Sequence, residues 1–247
     1  MMNNSNQNPG LLKKIMGLRE FMIFSIVLAS GIIMSFVSPF FLNSYNLKSL
    51  LLSVAVKSII AIGMTILFTA GDFDLSVGST LALTGVVVAI CLTSGIPIFI
   101  SILIALITGG LIGFVNGFIV SKIGINAFIT TLGMMKLIRG LVLILTGGQN
   151  ISALPESFTL LGQGNIMGIQ NPIWISILLI IVMDILLRKS RYFRQNYFIG
   201  GNSRAALFSG IDLDKMRILN FVFTGVLAAF GGILMTARFG AATVTAG

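Results

Sequence analysis

Seven apolar runs of nearly bilayer-crossing length constrain this chain more than any motif within it. They lie at about 21–42, 50–70, 76–94, 96–120, 125–146, 172–187 and 218–238. A helix needs roughly 20 apolar residues to cross the hydrocarbon core. In lipid every backbone N–H and C=O must find its partner within the segment, so runs of this length fold as helices. The expected fold is therefore all-α: an integral membrane protein, a polytopic helical bundle of about seven spans, with room for broken helices among them. Charged residues make up only 9% of the chain, against 56% hydrophobic. A soluble domain carries about 25% charged residues, so this one cannot dress a surface facing water.

The distribution of Lys and Arg sets the expected orientation. Segment 188–217 holds Arg188, Lys189, Arg191, Arg194, Arg204, Lys215 and Arg217, whereas 147–171 holds none. This places the amino terminus, Lys122 and 188–217 in the cytoplasm, and 147–171 outside. Residues 1–20 are expected to form a cytoplasmic tail. Residues 21–247 are expected to form one transmembrane domain with a basic cytoplasmic loop at 188–217. The first run is too long for a signal peptide, whose apolar core is about 7–15 residues. The net charge of +9 is thus a topology signal; no aromatic–basic module suggests nucleic acid, and the lipid bilayer is the first partner. There is no His, and Cys91 is the single Cys. That excludes Ser-His-Asp catalysis, zinc-protease chemistry, a thiolate metal site and an internal disulfide. No cofactor, metal site or enzymatic activity is expected.

The stretch GDFDLSVGS (71–79) interrupts two apolar runs with two carboxylates. Gly71 can end a helix in the left-handed conformation. Asp74 can cap the next, accepting from the amide of Ser76 or Val77. Asp72 has no evident structural task. Two readings stay open for Gly71, Asp72, Asp74, Ser76 and Gly78: a short solvated loop, or a helix break at a gate where half-helix ends meet polar cargo. Gly109, Gly113 and Gly117 form two GxxxG steps on one helix face, the spacing that lets helix backbones approach closely in lipid. Asn116 either bonds a neighbouring helix or faces a polar path. Lys57, Lys136, Arg139 and Asp184 are charges inside apolar runs. Asp184 can pair with Arg188 four residues on. For MMKLIRG (134–140) we read a helix that is interrupted at Gly133 or Gly140 or lies in the interface, the alternative being a face that lines something wet.

Four stretches then carry a resemblance: GMTILFTAGDFDLSVGSTLALTG (63–85), NAFITTLGMMKLIRGLVLILTGG (126–148), YFIGGNSRAALFSGIDLDKMR (197–217) and ARFGAATVTAG (237–247). In order and spacing they resemble the permease subunits of bacterial ATP-binding-cassette importers for monosaccharides. Ribose, xylose and galactoside permeases are the nearest in kind, and the autoinducer-2 permease is close. The family's signature reads Gly-Gly-Ile-Asp-Leu-Ser-Val-Gly; Asp72 replaces its second Gly and Phe73 its Ile, while Asp74 is its carboxylate. Arg139-Gly140 matches the family's Arg-Gly pair, and Lys136 stands where a neutral residue is expected.

The resemblance implies a subunit of an ATP-driven sugar importer in the bacterial cytoplasmic membrane. Its implied partners are a separate ATPase, a second permease subunit (identical or homologous) and an extracytoplasmic sugar-binding protein. The chain itself lacks the G-x-x-x-x-G-K-[ST] loop. The ATPase-coupling loop would comprise Gly200, Gly201, Asn202, Arg204, Ala205, Ala206, Ser209 and Gly210. A short helix capped by Asn202 or Ser203 would insert Ala205, Ala206 and Leu207 into a groove of the ATPase. Candidate groups along an uncharged sugar path are Asn116, Asn126, Thr130, Thr131 and Arg139. Family members continue for several further spans, so the chain would lack carboxyl-terminal helices. The alternatives are a non-functional truncated permease, or an ion- or proton-coupled secondary transporter with a relay through Asp72, Asp74, Lys57 and Lys136.

Overall fold

A computed structural model describes residues 19–247; the expected tail, with Lys13 and Lys14, lies outside the described residues. Seven apolar helices occupy the seven apolar runs: α1 (Arg19–Val37), α2 (Ser44–Thr69), α3 (Val77–Thr93), α4 (Ile98–Phe118), α5 (Ala127–Thr146), α7 (Asn171–Lys189) and α10 (Leu213–Phe239). α4 runs on as a π-helical turn, Ile119–Ile123, closed by Gly124 in the left-handed conformation. By length and composition α2, extended α4, α5, α7 and α10 can cross a membrane, while Phe21–Val37 and Val77–Thr93 are shorter apolar helices. The fold is all-α and polytopic. Three short helices join the long ones: α6 (Glu156–Gln163), α8 (Arg191–Gly201) and α9 (Ser203–Phe208). A two-residue hairpin, β1 (Asn165–Ile166) with β2 (Ile169–Gln170), completes the described elements.

Contacts divide the chain into two compact units, one ending at Leu50 and one from Leu51 to Gly247. The first holds α1 and the opening of α2. Ile23, Phe24, Ile26, Val27 and Ile33 on α1 are exposed, as suits side chains solvated by lipid. The turn after α1 is tied by Asn46 Nδ2, which donates to Phe41 O at 2.8 Å.

In the second unit α10 is the central post. Its two sides differ in chemistry. Toward α4 the contact is backbone on backbone. A Cβ on Gly109 would lie 2.4 Å from Gly225 O, one on Gly113 2.2 Å from Phe221 O, and one on Gly117 2.8 Å from Ile218 Cα. Toward α3 the same logic recurs at Gly232, where a Cβ would lie 2.3 Å from Leu81 O, and at Gly85 against Thr236. Lipid tails are as apolar as leucine, so close packing of small residues replaces the hydrophobic effect as the cohesive force. α3 is consequently buried along almost its whole length.

α5 departs from the reading made for 134–140. The helix runs unbroken from Ala127 to Thr146, through both Gly133 and Gly140. Nothing lies within 4 Å of a Cβ at either glycine, so neither marks a break or a close approach. The charges are accommodated without one. Lys136 is exposed on the outer surface of the helix, and Arg139 turns inward to two backbone carbonyls.

Candidate functional site

At one end of the second unit, four features meet: the turn 70–76, the start of α5, the α8–α9 arm and the first turns of α10. α2 ends in a left-handed cap at Gly71 (φ 83°). Gly71 N donates to Phe68 O at 3.1 Å and Asp72 N to Leu67 O at 3.0 Å, the paired bonds of a Schellman motif. Asp72 and Phe73 follow, and Asp74 stands two residues before Ser76, the N-cap residue of α3. Asp74 Oδ1 accepts from Ser76 N at 2.7 Å and Ser76 Oγ at 2.6 Å, and Oδ2 accepts from Asn116 Nδ2 at 3.3 Å. A carboxylate at a helix start satisfies amides that have no intrahelical partner. Asn116 also donates to Ser76 Oγ at 3.0 Å. From α5, Thr131 Oγ1 accepts from Leu75 N at 3.1 Å.

Asp74, Ser76, Asn116 and Thr131 are therefore one buried polar cluster binding the turn to α4 and α5. All four are at most 3% exposed, and Asn116 Oδ1 has no hydrogen-bond partner. Thr130 is buried beside Thr131 with its hydroxyl unpartnered. Asn126 caps α5, accepting from Phe128 N at 2.8 Å. Gly109, Gly113 and Gly117 stand apart from this cluster, in the α4–α10 seam.

Asp72 takes a different partner. Its Oδ2 lies 3.1 Å from Arg217 Nε on the first turns of α10, with the carboxylate buried and the guanidinium one-third exposed. The contact is ionic rather than an aligned hydrogen bond, since neither atom meets hydrogen-bond geometry. Lys57 and Lys136 are exposed and have no ion-pair partner among the described residues. The four groups of the suggested relay, Asp72, Asp74, Lys57 and Lys136, do not form one chain of contacts.

The arm follows α7, whose end carries the Asp184–Arg188 pair at 2.9 Å. α8 was not foreseen as a helix. Its signal is the spacing of Phe193, Asn196 and Ile199, every third residue and all buried. Asn202 caps α9, accepting from Ala205 N at 3.0 Å, and Gly210 (φ 81°) follows its end. Ala206 packs inward against Ile199 and Met216, which corrects the reading that it enters a partner's groove. The groups that project are Arg204, Ala205, Leu207 and Phe208, with Leu207 56% and Phe208 89% exposed. Beside them lies a groove of about 470 Å³ lined by Tyr197, Phe198, Ala205 and Ser209.

A buried network ties the arm to α10. Asn220 Nδ2 donates to Asn196 Oδ1 at 3.0 Å, and Asn220 Oδ1 accepts from Asn196 Nδ2 at 3.2 Å and Tyr192 Oη at 3.1 Å. Burial pushes the Tyr192 phenol up to about 12. These residues escaped the sequence reading because Tyr192 and Asn196 lie in a stretch read as a loop, and the partner of Asn220 is set by how that stretch folds onto α10.

At the opposite end the chain turns back after α10. Ile151 and Ala242 form an antiparallel bridge, and Val244 N donates to Asn150 Oδ1 at 3.1 Å. Arg139 Nη1 donates to Ala246 O at 2.6 Å and Nη2 to Gly247 O. Gly247 lies against the backbone of Gly78. Residues 241–247 thus return alongside α3 and α5, and Arg139 holds that return.

A polytopic helical bundle with an interrupted, polar-lined helix pair and an amphipathic arm at its basic end is the architecture of a membrane transport subunit. The relatives are of that class. Residues 46–247 match the family described as "Branched-chain amino acid transport system / permease component", and the chain belongs to that permease family. It is 36% identical to the ribose import permease protein RbsC of Haemophilus influenzae, over all of this chain and 77% of that protein. It is 35% identical to the L-arabinose transport system permease protein AraH of Escherichia coli, over 81% of this chain and 61% of that protein. The corresponding figures for RbsC of Bacillus subtilis are 37%, 87% and 68%. The chain therefore spans 61–77% of the length of these relatives. No solved structure matches it.

Proposed function

We propose that this chain is the membrane-spanning subunit of an ATP-driven monosaccharide importer in the bacterial cytoplasmic membrane, and that pentoses are its cargo class. Its amino terminus and the α8–α9 arm face the cytoplasm, as the clustering of Lys and Arg at that end supports. ATP is hydrolysed by a separate subunit, which docks on the arm. A second permease subunit, identical or homologous, completes the path, and an extracytoplasmic binding protein delivers the sugar. Residues from about 21 act as one transmembrane domain, with 188–217 as the coupling segment.

The observation that carries this reading is the arm itself. A six-residue helix exposes Leu207 and Phe208 beside an apolar groove. Exposed apolar side chains clustered in this way mark a protein or membrane contact, and the resemblance to importer permeases favours the protein. Gly200, Gly201, Asn202, Ser209 and Gly210 shape the arm, and Arg204 with Ala205 flanks the projecting pair. The turn 70–76, with Gly71, Asp72, Asp74 and Ser76, together with Gly78 in the first turn of α3, is the gate. Asn116, Thr130 and Thr131 supply neutral hydrogen-bonding groups of the kind an uncharged sugar needs, Asn126 caps the helix that presents the two threonines, and Arg139 steadies the returning segment beside them.

The test co-expresses the chain with a ribose-importer ATPase and compares it with Phe208→Asp and Leu207→Asp variants. Wild type is expected to retain the ATPase in detergent, and both variants to lose it while inserting normally. Retention by both variants would remove the arm from the interface. In vesicles, ribose or arabinose uptake that survives ATP depletion but collapses with the proton gradient would replace the importer reading by the gradient-driven one. Uptake of leucine in place of either sugar would reassign the cargo.

A further inference from the structure

We propose that Asp72 and Arg217, together with the seating of Gly200 on the end of α2, form the link through which movement of the α8–α9 arm reaches the turn at 70–76. The proposal rests on the reading of the arm as the ATPase-docking surface. It assigns a positioning role to a carboxylate that stands where the resembling signature carries Gly.

Three contacts join the arm, α10 and the turn. The first is backbone on backbone. A Cβ on Gly200 would lie 2.3 Å from Thr69 O, and one on Gly71 3.7 Å from Gly200 Cα. The last turn of α8 therefore rests directly on the helix end that Gly71 terminates, and the two cannot slide together without one of them moving. The second is the Asn196–Asn220–Tyr192 network, which fixes α8 to α10. The third is Asp72–Arg217 at 3.1 Å.

These contacts share a face of α10. Arg217, Asn220 and Thr224 stand at positions i, i+3 and i+7, so they line one stripe. Each reaches a different element: Arg217 the turn, Asn220 the arm, and Thr224 α2, donating to Gly63 O at 3.0 Å. Of the three ion pairs among the described residues, only this one buries its carboxylate; Lys122–Asp214 and Asp184–Arg188 are exposed on both sides. Exposed pairs contribute little. A buried carboxylate stripped of its partner is strongly disfavoured, so Asp72 must follow Arg217 when α10 and the arm shift.

The experiment uses the assembled transporter in nanodiscs, with ATPase and sugar-binding protein. Asp72→Asn, Arg217→Gln and the double variant are compared for ATPase retention, sugar-stimulated hydrolysis and uptake per ATP hydrolysed. Each single variant is expected to keep the ATPase bound and to lose about tenfold in uptake per ATP, and the double to be no worse than the poorer single. Hydrogen exchange supplies a second readout: protection of residues 71–76 is expected to change on ATP binding in wild type and not in Asp72→Asn. Asp72→Gly, which restores the signature's residue, covers the case in which the amide variant folds poorly. Unchanged uptake per ATP, losses that multiply in the double variant, or a wild-type exchange response retained in Asp72→Asn would overturn the link. If wild type fails to retain the ATPase, the docking reading falls and the link falls with it, a result distinct from the other three.

Discussion

Replacing Asp74 by Asn and by Ala separates the hydrogen bonds of that side chain from its charge. Both substitutions remove a buried carboxyl group, so the cost of burying it cancels when the two are compared. What differs is the set of donors left behind. Both bonds from Ser76 go to Oδ1, and the bond from Asn116 goes to Oδ2. In Asp74→Asn the retained carbonyl oxygen still accepts from Ser76 N and Ser76 Oγ. The introduced amide meets the Asn116 amide, which can turn its Oδ1 to accept from it only by giving up the bond to Ser76 Oγ. In Asp74→Ala, a buried backbone N–H and a buried hydroxyl lose their acceptor together.

Each unmade bond of this kind costs about 1 kcal/mol in soluble proteins, and transmembrane hydrogen bonds average about 0.6 kcal/mol. The alanine variant is therefore expected to be about 1–2 kcal/mol less stable than the asparagine variant. Steric trapping of the chain in bicelles measures that difference directly. An alanine variant as stable as the asparagine variant would refute the capping argument. If the asparagine variant is stable but its assembled transporter does not move sugar, the charge itself has a task at the gate.

Three further outcomes follow from the geometry. Gly113→Ala drives a methyl to 2.2 Å from Phe221 O and should cost about 1–3 kcal/mol by overpacking, whereas Gly133→Ala and Gly140→Ala meet open space and should leave the isolated chain as stable or slightly more so. Thermal unfolding in detergent distinguishes these, and equal losses at all three positions would refute the seam. Tyr192 is held neutral by burial, with its phenol up to about 12 against 10.0 ordinarily. Its stabilising contribution is complete below the ordinary value and drains away as pH rises through the folded one, so Tyr192→Phe should flatten the alkaline loss of stability in that window. Asn220→Ala strands the Asn196 amide and the Tyr192 hydroxyl and should loosen the arm, read as faster hydrogen exchange over 191–201 with little change in α5.

The helices were legible because lipid makes the code simple. A run must be long and apolar, and seven such runs became seven helices, most of them with ends within two residues of those read from the sequence, while α1 ends at Val37 and α2 and α10 begin earlier, at Ser44 and Leu213. Local devices were legible for the same reason that they are local. Gly71, Asp74, Asn126, Asn202 and Gly210 act on backbone groups only a few residues away, and their chemistry is set by their own side chains. The interruption expected at 134–140 failed because it treated charge in a span as something the helix itself must resolve. Arg139 resolves it with carbonyls more than a hundred residues later in the chain, a partner no local pattern announces.

The same distance hides the pairing of Asp72. Read locally, it is a carboxylate with nothing to do, one residue past a helix end. The fold supplies its partner by running α10 antiparallel to α2 and setting the basic first turns of one against the end of the other. A polar residue that has no local employment in an apolar chain carries a cost that something must offset. Here the offset comes from the element that also holds the arm. Local idleness in such a chain therefore points to a distant partner, and at Asp72 that partner lies on the stripe of α10 that touches the arm, the turn and α2 together.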